Sequence, residues 1–429
     1  MRRPIFTLLA FALLIFGLAA PGRTVPLLTV TPLANPSGPL EENRQVSISR
    51  DVGMSVALNA KNYWFFGDTY VPPSSFAKTP SMYIAGSTAA VSGAVVPGQS
   101  PQDLMEIVPG SLKTRFQPAQ FLPVPTPAYI PGANGVPCSQ WPRGRTVRWI
   151  SGVATIPSTL AASSILVTFS GVCLEPNRLT AQSFGFGVFS TITNTWTMVR
   201  DVFTPVASGY QLPERLRFGW PVFNADGTIT MYSNRCTLGS IWFLCDKTTL
   251  YASTFPATFT ALSDPNSYNP TPVIDVSGGM NAALYSVGAV TGAGKTTTYY
   301  FARLDDLGGA FRILSASKPN GPFKVIGSAQ IPGCSGISGG RFCYAFALHP
   351  ELSPPGNLYF TYFAPGSNGV FDHLAAALVT LPGGTPPSTT TSTTVTSTTT
   401  SSTTSTSTST SIPPTTSTTS TTIRRSFLS

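Results

Sequence analysis

Short runs rich in Val, Ile, Thr, Phe and Tyr recur along most of this chain, each bounded by Gly, Pro, Asn or Asp. Branched and aromatic side chains suit the pleated, half-buried surface of a strand, and the bounding residues are those that turns require. No segment sustains apolar residues at three- and four-residue spacing, which excludes a helical architecture. With 38 glycines, 40 prolines and only 10% charged residues, the chain must be dominated by strands and turns.

The runs fall into five groups. Residues 45–58, 63–70 and 82–91 make the first, and the second runs from Val147 through 164–169 and 184–190 to 196–202. Residues 220–223, 229–232 and 249–254 make the third; 282–287, 296–303 and 311–315 the fourth; 344–348, 358–363 and 374–381 the fifth. Tight connections such as Asn224-Ala225-Asp226-Gly227 and Pro319-Asn320-Gly321-Pro322 join runs within a group. Small antiparallel sheets repeated around an axis leave few exposed edges, so the expectation is an all-β, five-bladed propeller. A single β-sandwich would be overfilled by this many strands. The Pro-rich stretch 97–142 reads as a long insertion after the first blade.

Both ends of the chain are of another kind. Met1-Arg2-Arg3, an apolar run to Leu18 and Ala19-Ala20 are the three parts of a secretory signal peptide. The competing reading, an uncleaved anchor, is weakened because a membrane span needs about 20 apolar residues. Residues 388–422 are Ser and Thr except Val395, Ile412, Pro413 and Pro414, a composition with nothing to bury and so an extended stalk. The organisation expected is a signal peptide at 1–20, a lead-in at 21–43, the propeller at 44–384 and a Ser/Thr tail at 385–429. The destination is extracellular or cell-wall associated.

The formal charge of +9 includes Arg2, Arg3, Arg424 and Arg425; without them 22 basic residues face 17 acidic ones. These are scattered, which argues against a nucleic-acid partner. Six cysteines fit an oxidising compartment. Of fifteen pairings, neighbours are favoured: Cys236 with Cys245 and Cys334 with Cys343, leaving Cys138 and Cys173. Zinc is a poor alternative, with no C-x-x-C and only two histidines.

Ser49-Arg50-Asp51-Val52-Gly53-Met54-Ser55 followed by Trp64-Phe65-Phe66-Gly67-Asp68-Thr69 resembles the opening blade of a propeller family long labelled only a domain of unknown function. Some actinobacterial members of that family are endo-D-arabinanases acting on cell-wall arabinan. Trp141-Pro142, Phe218-Gly219-Trp220-Pro221, Asn320-Gly321-Pro322-Phe323 and His349-Pro350-Glu351-Leu352-Ser353 follow in the same order. The resemblance spans about residues 44–381. It departs at Val52-Gly53, where the family often has Gly-Gly, and in the Pro-rich insertion. It implies a secreted glycoside hydrolase whose partner is a furanosidic, arabinan-like polysaccharide or other cell-wall glycan, met by a monomer.

Glycoside hydrolysis needs two carboxyl groups, one to protonate the leaving oxygen and one to activate water or attack the sugar. Asp51 is the candidate general base or nucleophile and Glu351 the general acid, with Asp68 orienting them or holding a hydroxyl. His349, Trp141, Trp220 and Arg50 are the candidate substrate contacts. Each has a plain reading beside it. Asp68-Thr69 is also ordinary turn chemistry, most tryptophans are packing residues, and His373 is structural or exposed. Asp226-Gly227 is a hairpin turn. No cofactor is expected; Asp305-Asp306 is a solvated loop pair or else a structural calcium ligand. Gly292-Ala293-Gly294-Lys295-Thr296 mimics a phosphate loop, but Ala289 stands where the motif needs Gly, and a strand follows instead of a helix. No Gly-x-Ser-x-Gly elbow occurs. The rival function is a non-catalytic carbohydrate-binding or adhesion propeller on a stalk.

Overall fold

The computed structural model describes residues 25–38, 48–71, 83–108, 119–123, 145–175, 178–203, 218–238, 245–277, 286–292, 294, 296–336, 342–364 and 374–387. The signal-peptide and stalk readings, Trp141, Cys138 and His373 lie outside these residues.

Strand β1 (Thr29–Leu33) opens the described chain and is followed by β2 (Ser49–Arg50), β3 (Met54–Leu58), β4 (Lys61–Phe66) and β5 (Thr69–Val71). Next come β6 (Tyr83–Ala85), β7 (Thr88–Ser92) and β8 (Met105–Glu106). The second group is β9 (Arg145–Thr155), β10 (Ser164–Glu175), β11 (Arg178–Ser190) and β12 (Thr195–Phe203). The third is β13 (Trp220–Phe223), β14 (Thr228–Leu238), β15 (Cys245–Pro256) and β16 (Thr271–Ser277). The fourth is β17 (Ser286–Thr291), β18 (Thr297–Leu304), β19 (Ala310–Ala316) and β20 (Lys324–Gln330). β21 (Tyr344–Leu348), β22 (Asn357–Phe363) and β23 (Leu374–Thr380) complete the chain.

These strands make five antiparallel four-stranded blades: β3-β4-β7-β8, β9 to β12, β13 to β16, β17 to β20, and β21-β22-β23-β1. The first strands of successive blades pack on one another, β3 on β9, β9 on β13, β13 on β17 and β17 on β21, so they line the axis. The molecule is an all-β five-bladed propeller. A small sheet, β2-β5-β6, extends the first blade where Asp51 and Asp68 stand.

The ring closes through β1, whose register on β23 runs from Thr29 opposite Thr380 to Leu33 opposite Ala376. The segment expected as a lead-in is therefore the outer strand of the last blade. It was missed because a single short strand at one end of the sequence has no neighbour to reveal its partner. The fourth strands β16 and β20 also lie beyond the runs singled out in the sequence. The Pro-rich stretch is likewise more than an insertion: it supplies β8, and Phe121 and Leu122 are buried in the core. Phe121 meets Phe65, Phe189 and Trp196 edge-on, joining the first two blades.

Turn chemistry follows the sequence closely. Gly227 has φ of +80°, and Asp226 accepts bonds from Thr228 N (3.0 Å) and Thr228 Oγ1 (2.6 Å). The phosphate-loop mimic leads into β18, with Gly292 N donating to Thr296 O across the turn. Asp305 is a half-buried anion between Arg303 (3.2 Å) and Arg312 (3.0 Å), which corrects its reading as a solvated pair. Among the described residues no three His, Cys, Asp or Glu side chains gather to hold a metal ion. Nor is any helix there long and apolar enough to cross a membrane. Cys334 and Cys343 form a disulfide that ties the end of the fourth blade to the start of β21.

Candidate active site

The first blade carries two aspartates opposite one another. Asp51 follows β2, Asp68 precedes β5, and their backbones pair: Asp51 N donates to Asp68 O (2.9 Å) and Gly67 N to Asp51 O (2.8 Å). A Cβ at Gly67 would stand 2.5 Å from Asp51 Oδ1, so a side chain there would displace that carboxyl. Val52, immediately after Asp51, has φ of +49°, in the left-handed region that a β-branched residue occupies only under strain. This is the position where the resembled family often has glycine.

Each carboxyl is met by a side chain from a neighbouring blade. Trp149, on β9 of the second blade, donates its indole N–H to Asp68 Oδ1 at 2.9 Å. Tyr344, the first residue of β21 in the last blade, donates its hydroxyl to Asp51 Oδ2 at 3.1 Å. Asp51, Trp149 and Tyr344 are partly exposed and Asp68 is buried, so the group lines solvent without being loose in it. Neither Trp149 nor Tyr344 was singled out from sequence, since each sits in an ordinary strand run that carries no motif.

Glu351 makes its contacts with another set of side chains. It lies three residues past the last residue of β21, in a 3-10 turn at Pro350–Leu352, whereas Tyr344 and Asp51 meet at that strand's first residue. Its carboxyl shares the Ser55 hydroxyl with His349, whose Nδ1 is 2.5 Å from Ser55 Oγ and 3.9 Å from Glu351 Oε1. The other ring nitrogen of His349 is 2.8 Å from Thr361 Oγ1, which donates to Gly53 O at 3.0 Å. Trp64 and Tyr359 enclose the imidazole at 4.8 and 5.4 Å. Burial holds His349 at a pKa of about 3, so the ring is neutral. Burial pushes Glu351 up to about 7, against the opposing pull of the Ser55 hydroxyl and its own backbone N–H. The group is a polar chain between the last blade and the first, buried at Ser55, His349 and Thr361 and partly exposed at Glu351.

Three other expected contacts are interior. Arg50 is 3% exposed, ion-paired with Glu106, with its guanidinium 4.3 Å from the centre of the Phe66 ring. Trp220 is 5% exposed and packs in the core shared by the inner strands. His349 is fully buried and presents no surface to a ligand. Of the cysteines, Cys173 is buried and disulfide-bonded, and Cys236 and Cys245 lie on the adjacent strands β14 and β15.

No protein-family model and no curated protein matches the sequence. Solved structures do share the fold. A candidate hydrolase from Bacteroides ovatus aligns with a TM-score of 0.50 and 13% identity over 84% of this chain and 92% of its own. A family 117 glycoside hydrolase from Zobellia galactanivorans aligns at 0.44 and 10% identity, over 84% and 93% of the two chains. A GH43 enzyme from Xanthomonas citri, solved with xylose, aligns at 0.43 and 11% identity, over 82% and 92%. At such identities the likeness is one of fold.

Proposed function

We propose that this chain is a secreted glycoside hydrolase that cleaves a furanosidic, arabinan-like polysaccharide. A propeller serves many functions, so the reading rests on the site and not on the fold. The observation that carries it is the pairing of Asp51 and Asp68 at the axis end of the first blade, each carboxyl held by a donor from a flanking blade. Protonating a leaving oxygen and activating water or attacking the sugar calls for two carboxyl groups, and these two are the candidates. Asp51, partly exposed, is the base or nucleophile. Asp68 is taken here as the second carboxyl in place of Glu351, whose carboxyl is engaged by Ser55 beside the buried His349. The arabinan preference rests on the resemblance of the opening-blade motif.

The test is incubation of the purified protein with arabinan, arabinogalactan and other plant and microbial polysaccharides, with Asp51→Asn and Asp68→Asn in parallel. Oligosaccharide release by the parent that both folded variants lose supports hydrolysis. A second reading is a non-catalytic binding or adhesion propeller. Saturable binding without release would establish it.

A further inference from the structure

Six residues other than glycine have a positive φ among the described residues. Asn59, Ala60, Ser163 and Asn194 stand in the turns that join neighbouring strands, where such angles are ordinary. The remaining two are Val52 and Ala345, at +49° and +58°. Val52 follows Asp51 and Ala345 follows Tyr344. The strained residues thus flank both partners of one hydrogen bond, Tyr344 Oη to Asp51 Oδ2. Strain of this kind persists only where surrounding structure enforces it, and it gathers at working sites.

Three further features fix Tyr344. The pairing of β21 with β22 slips by a residue between Tyr344 and Ala347, a bulge of the sort that re-aims a side chain. The phenol ring is stacked on Phe342 (5.8 Å, 16° between planes) and tilted against Phe363 (4.8 Å). The residue before it, Cys343, is anchored by the disulfide to Cys334.

Resting on the reading of Asp51 as a working carboxyl, we propose that Tyr344 is its positioning residue, delivered across the ring closure by the last blade. The chemistry of the two donors differs in a way that suits this role. An indole N–H can only donate, so Trp149 holds Asp68 Oδ1 as an acceptor. A phenol hydroxyl donates or accepts, so the Tyr344 contact survives both gain and loss of a proton by Asp51. Asp51 is thereby kept in one orientation whether or not it carries a proton.

Tyr344→Phe keeps the aromatic packing and removes only the hydroxyl. Two measurements are made on it and on the parent: oligosaccharide release with kcat and KM separated over pH, and the carboxyl titration of Asp51 by carbon NMR. The expected result is a kcat lower by about tenfold or more with KM within about twofold. The Asp51 titration is expected to move upward, because a donor to the ionised form has gone. An unchanged kcat with an unchanged Asp51 titration overturns the proposal, while loss of release in Asp51→Asn leaves the hydrolase reading standing. If the parent releases nothing, the hydrolase reading fails, and the Asp51 titration alone decides whether Tyr344 governs that carboxyl.

Discussion

His349 Nδ1 lies 2.5 Å from the hydroxyl of Ser55, a contact that joins the end of the last blade to the inner strand of the first. Its protons can be counted. A neutral imidazole has one N–H, and Thr361 already gives its own proton to Gly53 O, so Nε2 must donate to Thr361. The Ser55 hydroxyl donates to Glu351 Oε1 and lies against Nδ1, so a single hydroxyl joins the carboxyl to the imidazole. The chain runs from Glu351 through Ser55, His349 and Thr361 to Gly53.

A pH dependence of stability follows. Glu351 rises from an ordinary 4.5 to about 7 on folding, so its contribution is full below 4.5 and is lost as pH climbs to 7. His349 falls from 6.5 to about 3, so its contribution is full above 6.5 and is lost as pH drops to 3. Between 4.5 and 6.5 the folded and unfolded states bind equal numbers of protons at this pair, and the two slopes cancel. Glu351→Gln removes one slope and leaves the other. Denaturant midpoints measured from pH 3 to 8 should show the variant gaining on the parent between 4.5 and 7, by up to about 3 kcal/mol. A constant offset across that range would contradict the assignment.

Replacing either aspartate should separate stability from activity. Asp51→Asn and Asp68→Asn are close in shape, and their amides can still accept from Tyr344 and Trp149. Activity is expected to fall by about 10²–10⁴-fold, the scale of general acid–base contributions, with melting temperatures near that of the parent. Glu351→Gln should retain most activity near neutral pH, which a role as the leaving-group acid would forbid.

Much of this architecture was legible in the sequence, and the gaps have physical causes. Alternation and turn residues revealed five groups of strands because each blade repeats the same local chemistry. They did not reveal β1, whose partner β23 is the last strand of the described chain. Asp51 and Asp68 stood out through their motifs, and so did Glu351, whose carboxyl is partly exposed and bonded to Ser55. Adjacent blades bring the ends of a ring together, yet adjacency does not say which end of a strand a residue occupies. Trp149 and Tyr344 carried no signal, since nothing in a strand run says which aromatic will meet a carboxyl in another blade.

The strain beside Tyr344 should be releasable. Ala345 is buried and held at φ of +58°, a conformation that costs an alanine about 1 kcal/mol and glycine almost nothing. Ala345→Gly removes one methyl group and relieves that cost, so stability is expected to stay level or rise by about 0.5–1 kcal/mol. Activity should fall in the same variant, because the backbone that aims Tyr344 is loosened. Thermal unfolding and kcat measured on one preparation would check both. A variant that loses stability by 2 kcal/mol or more would show that the strain is not local to Ala345.

The disulfide before β21 makes a separate demand. Cys334 and Cys343 are nine residues apart, and closing so short a loop stabilises by about 2–3 kcal/mol. The bridge also fixes the residue preceding Tyr344, so its loss should reach the site. The Cys334→Ser, Cys343→Ser pair leaves the bond of Cys173 intact, which reductant would not. That double variant is expected to melt several degrees lower and, at a temperature where it remains folded, to show a reduced kcat with KM little changed. A lowered melting temperature with an unaltered kcat would mean that the aromatic clamp of Phe342 and Phe363 holds Tyr344 without help from the bridge.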